Sequence, residues 1–102
     1  MTRGEVWWAE GAAGGRRPYL ILTRQAAIPL LHSLLAAPAT RTVRRIPTEV
    51  ELDERDGMPE ACTLTLDSLT LVPKDLFSRP ICALGPDRMA AVCKALGAAV
   101  DC

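Results

Sequence analysis

The sequence predicts a mostly β protein: a small antiparallel barrel or strongly curved sheet, with one helix packed against it at the C-terminal end. Two observations predict this fold. Short segments rich in Val, Thr, Leu and Trp alternate with turns that contain Gly and Pro, and only the last segment has apolar residues at helical spacing. At 102 residues with 49% hydrophobic content, the chain has the size of a single domain spanning residues 1–102.

Three strands are predicted in the first half. Residues 4–9 are rich in Val and Trp, and residues 18–23 form an apolar run that begins with a proline, a tolerated first strand position. Residues 24–32 predict a loop with one helical turn, because a proline breaks any longer helix. Residues 33–37 predict the third strand, which we expect to end at Pro38.

The second half continues the β pattern and ends in a helix. Residues 46–52 alternate, with glutamates 49 and 51 on a solvent-exposed face, and residues 53–60 predict an acidic turn region. Residues 62–72 predict β structure bent near Asp67 and Ser68, followed by a helical turn at 74–77 and a strand at 79–84. A helix from Pro86 to about Val100 is predicted to dock through Met89, Val92, Cys93, Leu96 and Val100.

Charge is divided unevenly along the chain, although the net charge is zero. Residues 1–45 contain seven Lys or Arg against two acids, and residues 46–102 contain five against ten. A basic face for a polyanion is therefore possible, whereas a protein that coats DNA through bulk positive charge is excluded. Arg41, Arg44 and Arg45 form a basic loop with little acid nearby in the sequence.

The spacing of the cysteines and the length of the apolar segments predict an intracellular protein that binds no metal ion. No signal-peptide segment is visible, and the longest apolar run, residues 26–39, is broken by two prolines and His32. We therefore expect a cytoplasmic chain with no membrane partner. The four cysteines include no CxxC pair, which argues against zinc. Cys62, Cys82 and Cys93 are interpreted as small core side chains, and Cys102 as a terminal thiol.

The residues present exclude several catalytic classes. A single histidine, His32, cannot supply an acid and base pair, and its leucine neighbours favour a structural role. No phosphate-binding loop of the Walker type, HExxH or GxSxG motif occurs. The remaining guanidinium and hydroxyl groups suit attack of an RNA 2′-hydroxyl on its own phosphodiester, because the substrate then carries the nucleophile.

Five segments in order resemble the MazF/PemK toxins of toxin–antitoxin systems. They are Arg3-Gly4-Glu5-Val6-Trp7, Gly15-Arg16-Arg17-Pro18, Pro38-Ala39-Thr40, Ile46-Pro47-Thr48-Glu49-Val50, and Leu66-Asp67 before Leu71-Val72. The resemblance implies an SH3-like barrel of the CcdB/PemK type and a homodimer. It further implies a sequence-specific, metal-independent endoribonuclease that needs no cofactor, cuts single-stranded mRNA, rRNA or tRNA and leaves 2′,3′-cyclic phosphate and 5′-hydroxyl ends. A MazE-like antitoxin would neutralise it.

The same resemblance assigns site residues. Arg17 would bind the scissile phosphate and stabilise developing charge, and Thr40 would hydrogen-bond the phosphate or orient the 2′-hydroxyl. The remaining expected RNA contacts are Arg16, Arg41, Arg44, Arg45, Asp67 and Ser68. The alternative is that Arg16 and Arg17 are solvated charges at a strand end, and that Thr40 is an ordinary turn hydroxyl.

The chain departs from the family pattern where proton transfer is concerned. Relatives often carry an acid in the first loop, where this chain has Gly11-Ala12-Ala13 after Glu10, and Ser68 stands where many have Gln. Thr65 replaces an Arg found in some relatives. Two other functions stay open: a CcdB-like toxin that poisons a topoisomerase by binding, and a small RNA-binding barrel.

Overall fold

The computed structural model describes residues 1–11 and 14–101. Seven strands form the sheet: β1 (Glu5–Glu10), β2 (Arg16–Ile21), β3 (Ser33–Thr40), β4 (Glu49–Leu52), β5 (Cys62–Thr65), β6 (Thr70–Pro73) and β7 (Phe77–Ala83). One helix, α1 (Pro86–Val100), follows them. Single 3-10 turns occur at Gln25–Ala27, Glu54–Asp56, Leu66–Ser68 and Lys74–Leu76, which confirms the predicted turns in residues 24–32 and 74–77 and the bend near Asp67 and Ser68.

The strands pair antiparallel in the order β4-β5-β3-β2-β1-β7, and β6 also pairs with β3. Strands β4 and β7 lie at the two ends of this order, and among residues 1–11 and 14–101 no pairing joins them. The curved sheet is therefore open. The predicted class, mostly β with a C-terminal helix, is confirmed. Of its two forms, the curved sheet describes the molecule better than the closed barrel.

Strand β3 continues through Pro38, so the prediction that Pro38 ends the strand is wrong. On one side β3 pairs with β6 as far as Ala36 and with β5 from Ala39 onward. Pro38 lies in the gap between these two pairings and faces Tyr19 of β2. A proline in that gap leaves no ladder hydrogen bond unmade on the side of β5 and β6, so the strand can extend to Thr40.

Alternating side chains of the central strands divide the core into two clusters. In β2, Leu20 faces a first cluster with Ala37, Leu64 and Val92, whereas Ile21 faces a second cluster on the other side of the sheet. The second cluster includes Tyr19, Leu34, Val72 and Phe77, with Trp7 packed against it. The period-two pattern of the strand thus supplies both cores from consecutive residues.

Helix α1 covers the first cluster but is rotated from the predicted orientation. Val92 and Ala95 are buried, and Met89 and Leu96 pack beside them, whereas Cys93 and Val100 are exposed. The prediction that Cys93 and Val100 face the sheet is therefore wrong, because Ala95 and Ala99 occupy that face beside the three residues that pack as predicted, Met89, Val92 and Leu96. In the described part of the chain, no helix is both long and apolar enough to cross a bilayer.

Two glycines with different backbone conformations are expected to respond oppositely to alanine. Gly57 has φ +97°, and an added Cβ would lie 2.7 Å from the Cys82 Cβ. Gly97 lies within α1, and an added Cβ there meets nothing within 4 Å. We predict that Gly57→Ala lowers the free energy of unfolding by more than about 1 kcal/mol and that Gly97→Ala raises it by about 0.5–1 kcal/mol. Urea unfolding of both variants measures this, and equal effects would contradict it.

Candidate RNA-binding site

A cavity of about 370 Å³ opens where the first core cluster reaches the surface. Its floor is apolar and includes buried Ala39, Met58 and Cys62, and its rim carries charged side chains. We call it the larger cavity. Its lining residues come from β1, β2, β3, β5 and the segment before β5: Trp8, Arg16, Arg17, Pro18, Ala39, Thr40, Arg41, Met58, Pro59, Glu60 and Cys62.

The turn between β1 and β2 positions the two arginines that precede Pro18. Gly14 and Gly15 have φ angles of +85° and +77°, which residues with a side chain rarely adopt. The Gly11 N–H donates to the Gly15 carbonyl at 2.9 Å, which closes the turn. Arg16 and Arg17 then begin β2 opposite Glu10 and Ala9, and both are exposed at the rim.

Thr40 is the last residue of β3, and it faces the same larger cavity as Arg17. It pairs with Thr63 of β5, and its hydroxyl donates to the Thr42 carbonyl at 3.3 Å. This is a long hydrogen bond that an incoming oxygen could replace. Arg17 and Thr40 are separated by 22 residues in the sequence, yet β2 and β3 bring them to one wall because the two strands are neighbours in the sheet.

Arg17 also lines a second cavity, of about 230 Å³, together with Gly11, Gly14, Tyr19, Pro38, Ser68 and Thr70. We call it the smaller cavity. Arg17 therefore belongs to the walls of both cavities, and Ser68 shares the smaller one with it. Within residues 1–11 and 14–101 no carboxylate pairs with the Arg17 guanidinium. An arginine in that position can accept an anion without first releasing a partner.

All three arginines of the basic loop form ion pairs with glutamates. The expectation of little acid near this loop is therefore wrong for the folded protein. Arg41 Nε lies 2.7 Å from Glu60 Oε1. Arg44 pairs with Glu49, and Arg45 with Glu51, at 3.5 and 3.7 Å. Glu60 lies 19 residues beyond Arg41, a distance in sequence at which charge partners are not visible from local pattern.

Burial of Glu49 corrects one half of the predicted solvent-exposed face of β4, whereas Glu51 is exposed as predicted. Its side chain is only 2% exposed, with the Arg44 backbone N–H donating to it at 3.1 Å. The strand begins at this residue and not at residue 46, because the Glu49 N–H closes a turn onto the Ile46 carbonyl. Arg44 and Arg45 line neither cavity.

Asp67 is held by a threonine and not by a cation. The Thr48 hydroxyl donates to its carboxylate at 2.5 Å, and the Leu66 N–H donates to the Thr48 carbonyl at 3.0 Å. These bonds join the segment before β4 to the 3-10 turn before β6. Asp67 lines neither cavity, although its neighbour Ser68 does.

The two tryptophans point to opposite faces of β1, as their adjacency predicts. Trp7 packs edge-on against Phe77, with ring centroids 6.5 Å apart. Trp8 lines the larger cavity, and the Arg16 guanidinium carbon lies 5.1 Å from its ring centroid. Such a cation–π pair presents a flat surface on which a base could stack. Sequence reasoning missed the rest of this wall, Met58 to Cys62, because nothing in an acidic turn indicates that it folds over β3.

The cysteines differ from one another in environment. Cys62 is buried in the cavity floor and Cys82 is half-buried, but Cys93 is exposed, so its interpretation as a core residue is wrong. Cys102 lies outside the described residues. Burial raises the pKa of the Cys62 thiol to about 11, with smaller contributions from the charges of Cys82, Glu60 and Asp56. At neutral pH this thiol is protonated and is not a nucleophile.

Other potential proton-transfer or metal-binding groups lie elsewhere. His32 is exposed, lines neither cavity, and accepts a hydrogen bond from the Lys74 N–H through its backbone carbonyl. Over residues 1–11 and 14–101, no group of three or more His, Cys, Asp or Glu side chains converges in a way that could hold a metal ion.

Comparison with known proteins identifies the family. The model of the PemK-like, MazF-like toxins of type II toxin–antitoxin systems matches residues 2–100. The chain belongs to the PemK/MazF toxin family. It is 45% identical to the probable endoribonuclease MazF5 of Mycobacterium tuberculosis, over 99% of this chain and 94% of that protein. It is also 34% identical to the probable endoribonuclease MazF2 of the same species, over the full length of both.

Solved structures agree with this membership. The M. tuberculosis toxin MazF-mt6 superposes with a TM-score of 0.88 at 32% identity, over 95% of this chain and 96% of that one. A mycobacterial endoribonuclease solved in complex with its cognate antitoxin gives a TM-score of 0.89 at 25% identity, over 99% and 95%. The curved sheet with its docked helix is therefore the fold of a MazF/PemK toxin.

Thiol accessibility provides a direct test of the cavity floor. We predict that iodoacetamide at pH 8 alkylates Cys93 readily and leaves Cys62 largely unmodified. The raised pKa of Cys62 keeps its thiol neutral until the pH approaches about 11, so its labelling rate should climb between pH 9 and 11. Peptide mapping by mass spectrometry measures both rates. Equal labelling of the two cysteines at pH 8 would contradict a buried, neutral Cys62.

Proposed function

We propose that this protein is a sequence-specific, metal-independent endoribonuclease toxin that cleaves single-stranded RNA. Residues 1–102 act as one catalytic domain. The observation that carries the proposal is that Arg17 and Thr40, from neighbouring strands, line one cavity and that Arg17 has no carboxylate partner within residues 1–11 and 14–101. Relatives that match nearly the whole chain carry the name endoribonuclease, which supports the same class of activity.

The reaction is an internal transfer of the phosphodiester. The 2′-hydroxyl attacks the adjacent phosphorus, the P–O5′ bond breaks, and the products carry a 2′,3′-cyclic phosphate and a 5′-hydroxyl. Arg17 binds the scissile phosphate and stabilises the charge that develops on its non-bridging oxygens. Thr40 exchanges its long bond to the Thr42 carbonyl for a bond to the phosphate or the 2′-hydroxyl.

RNA crosses the site over Arg17, from the larger to the smaller cavity. On one side a base stacks at Trp8, where Arg16 already covers part of the indole ring. On the other side Ser68 can hydrogen-bond a nucleotide in the smaller cavity. Arg41, Arg44 and Arg45 contact phosphates outside the scissile step, while Asp67 orders the adjoining loop through Thr48.

A MazE-like antitoxin and a second copy of the chain are the proposed partners. An acidic segment of the antitoxin would cover the rim arginines and exclude RNA, and a mycobacterial relative has been solved with its cognate antitoxin. Support for a homodimer comes from apolar side chains that remain on the surface, among them Leu30 at 80% and Leu71 at 65% exposure. The cytoplasm, where RNA is translated, is the proposed location.

Removal of the Arg17 guanidinium should abolish cleavage without unfolding the protein. With EDTA present, we expect the wild type to cut a long RNA of known sequence at discrete positions, leaving cyclic phosphate ends. Arg17→Ala should lower the rate by about 10²- to 10³-fold, as loss of a charge-stabilising donor does. Arg24→Ala, which removes an exposed arginine outside both cavities, is the matched control and should cut normally. A folded wild type that cuts no RNA would instead favour a toxin that acts by binding.

Thr40 and Thr63, which face each other across β3 and β5, allow a catalytic hydroxyl to be compared with a structural one. Thr40→Val should slow cleavage by about tenfold or more, because a transition-state hydrogen bond is lost. Thr63→Val removes a fully buried hydroxyl that has no partner in the described structure. We expect it to preserve cleavage and to raise the free energy of unfolding by about 1 kcal/mol. Cleavage kinetics and urea unfolding of both variants check this, and a Thr40→Val enzyme of normal rate would remove Thr40 from the mechanism.

A further inference from the structure

Attack by a 2′-hydroxyl requires a group that takes its proton, and the first loop of this chain lacks an acid for that task. Glu10, the acid at the end of β1, is exposed opposite Arg16 and lines neither cavity. Among the described residues that line the two cavities, Glu60 is the only carboxylate. It belongs to the segment between β4 and β5, far in sequence from Arg17 and Thr40.

The other groups in the cavities are poor proton acceptors at neutral pH. Arginine side chains carry no acceptor, and the aliphatic hydroxyl of Thr40 is a weak base that offers no ionisable acceptor. The buried thiol of Cys62 has its pKa raised to about 11, so it too holds its proton. His32, the single histidine, is exposed away from both cavities. By elimination, the Glu60 carboxylate is the remaining acceptor.

An ion pair ties this carboxylate to the residue that follows Thr40, and both Thr40 and Glu60 line the larger cavity. Arg41, the residue directly after Thr40, places its Nε 2.7 Å from Glu60 Oε1. The pair orients the carboxylate, while Oε2 has no partner in the described structure. The charged and titratable groups around the cavity are Arg16 and Arg17 from β2, Arg41 after β3, and Cys62 from β5. Asp56, farther along the same segment, is paired with Arg88 of α1.

We propose that Glu60 is the general base of the cleavage reaction, an assignment that rests on the proposed function. Glu60 Oε2 takes the proton from the 2′-hydroxyl as the O2′–P bond forms. The P–O5′ bond breaks, and the departing O5′ takes a proton from water admitted by the open cavity. The proton on Glu60 then neutralises the resulting hydroxide, which restores the carboxylate. Arg17 balances the charge on the phosphoryl oxygens throughout.

The chain offers a closely matched control for Glu60. The Arg41–Glu60 and Arg45–Glu51 pairs have nearly equal side-chain exposures, 83% and 56% against 82% and 57%, but Glu51 lines neither cavity. Glu60→Gln and Glu51→Gln therefore remove the same charge from similar surface pairs. In both variants the amide oxygen can still accept from the arginine, so the local geometry is retained.

The test measures cleavage of a DNA oligonucleotide with one ribonucleotide at the mapped cut site, from pH 4.5 to 9. We expect Glu60→Gln to lower kcat by about 10²- to 10⁴-fold, with KM little changed. It should also abolish the fall in rate at acid pH that the wild type shows as its base is protonated. Glu51→Gln should follow the wild-type profile. Binding of a 2′-O-methyl version, which cannot react, should be equal in the two Gln variants, because each removes one carboxylate from a matched arginine pair.

A second substrate separates a base from an acid. Replacing the bridging O5′ by sulfur creates a leaving group that needs no proton, so it restores variants that lack a general acid but not those that lack a base. Persistence of the Glu60→Gln defect on this substrate supports the assignment. Recovery on it, a near-normal kcat, or a changed cut sequence at unchanged rate would each overturn it. If Arg17→Ala abolishes cleavage but Glu60→Gln does not, only the role of Glu60 is refuted. If the wild type does not cleave RNA, the proposed function is refuted as well.

Discussion

The pairing of β3 with three other strands is the constraint on which the structure depends. Its eight residues pair with β2 on one side and, on the other, with β6 in the first half and β5 in the second. The two strands on the same edge of β3 are consecutive, and the 3-10 turn Leu66–Ser68 lies between them. The alternating side chains of the central strands supply a core cluster on each face, and the end of β3, with Thr40, lies at the cavity where the first cluster reaches the surface.

The order and type of elements could be predicted from local patterns, because each short strand and the final helix has its own signal. Where the prediction failed, tertiary contacts decided the outcome. Pro38 is a strand terminator by propensity, yet it lies inside β3 because the change of partner strand removes the need for its N–H. In α1 the larger apolar residues suggested one face, but the packed face includes Ala95 and Ala99 beside Val92 and Leu96 and leaves Cys93 in solvent.

The site was predictable only as far as the family motifs extend. Arg17 and Thr40 were identified from their motifs, and the structure brings both to one cavity. Glu60 belongs to no motif. It lies in an acidic turn whose sequence is typical of ordinary solvated surface. Its proposed role rests on the contact of that turn with the residue after β3, a contact between residues 19 positions apart. Pairing of Arg41 with Glu60 was invisible for the same reason. Arg44 and Arg45, in contrast, pair with Glu49 and Glu51, which follow closely in the sequence and were interpreted as a solvent-exposed strand face.

These ion pairs explain how a chain of zero net charge can carry a site for a polyanion. Arg44 pairs with Glu49, whose side chain is buried. A phosphate that approaches Arg41 or Arg45 must displace an exposed carboxylate, and pairs of this kind contribute only about 0–1 kcal/mol each. The exchange is therefore accessible, but it gives little net attraction, so these arginines cannot hold RNA alone. Arg17 has no carboxylate to release within residues 1–11 and 14–101, and binding of phosphate there costs no such exchange. Under the proposed function, the strongest phosphate contact thus coincides with the bond to be broken, and binding energy is directed to the scissile position.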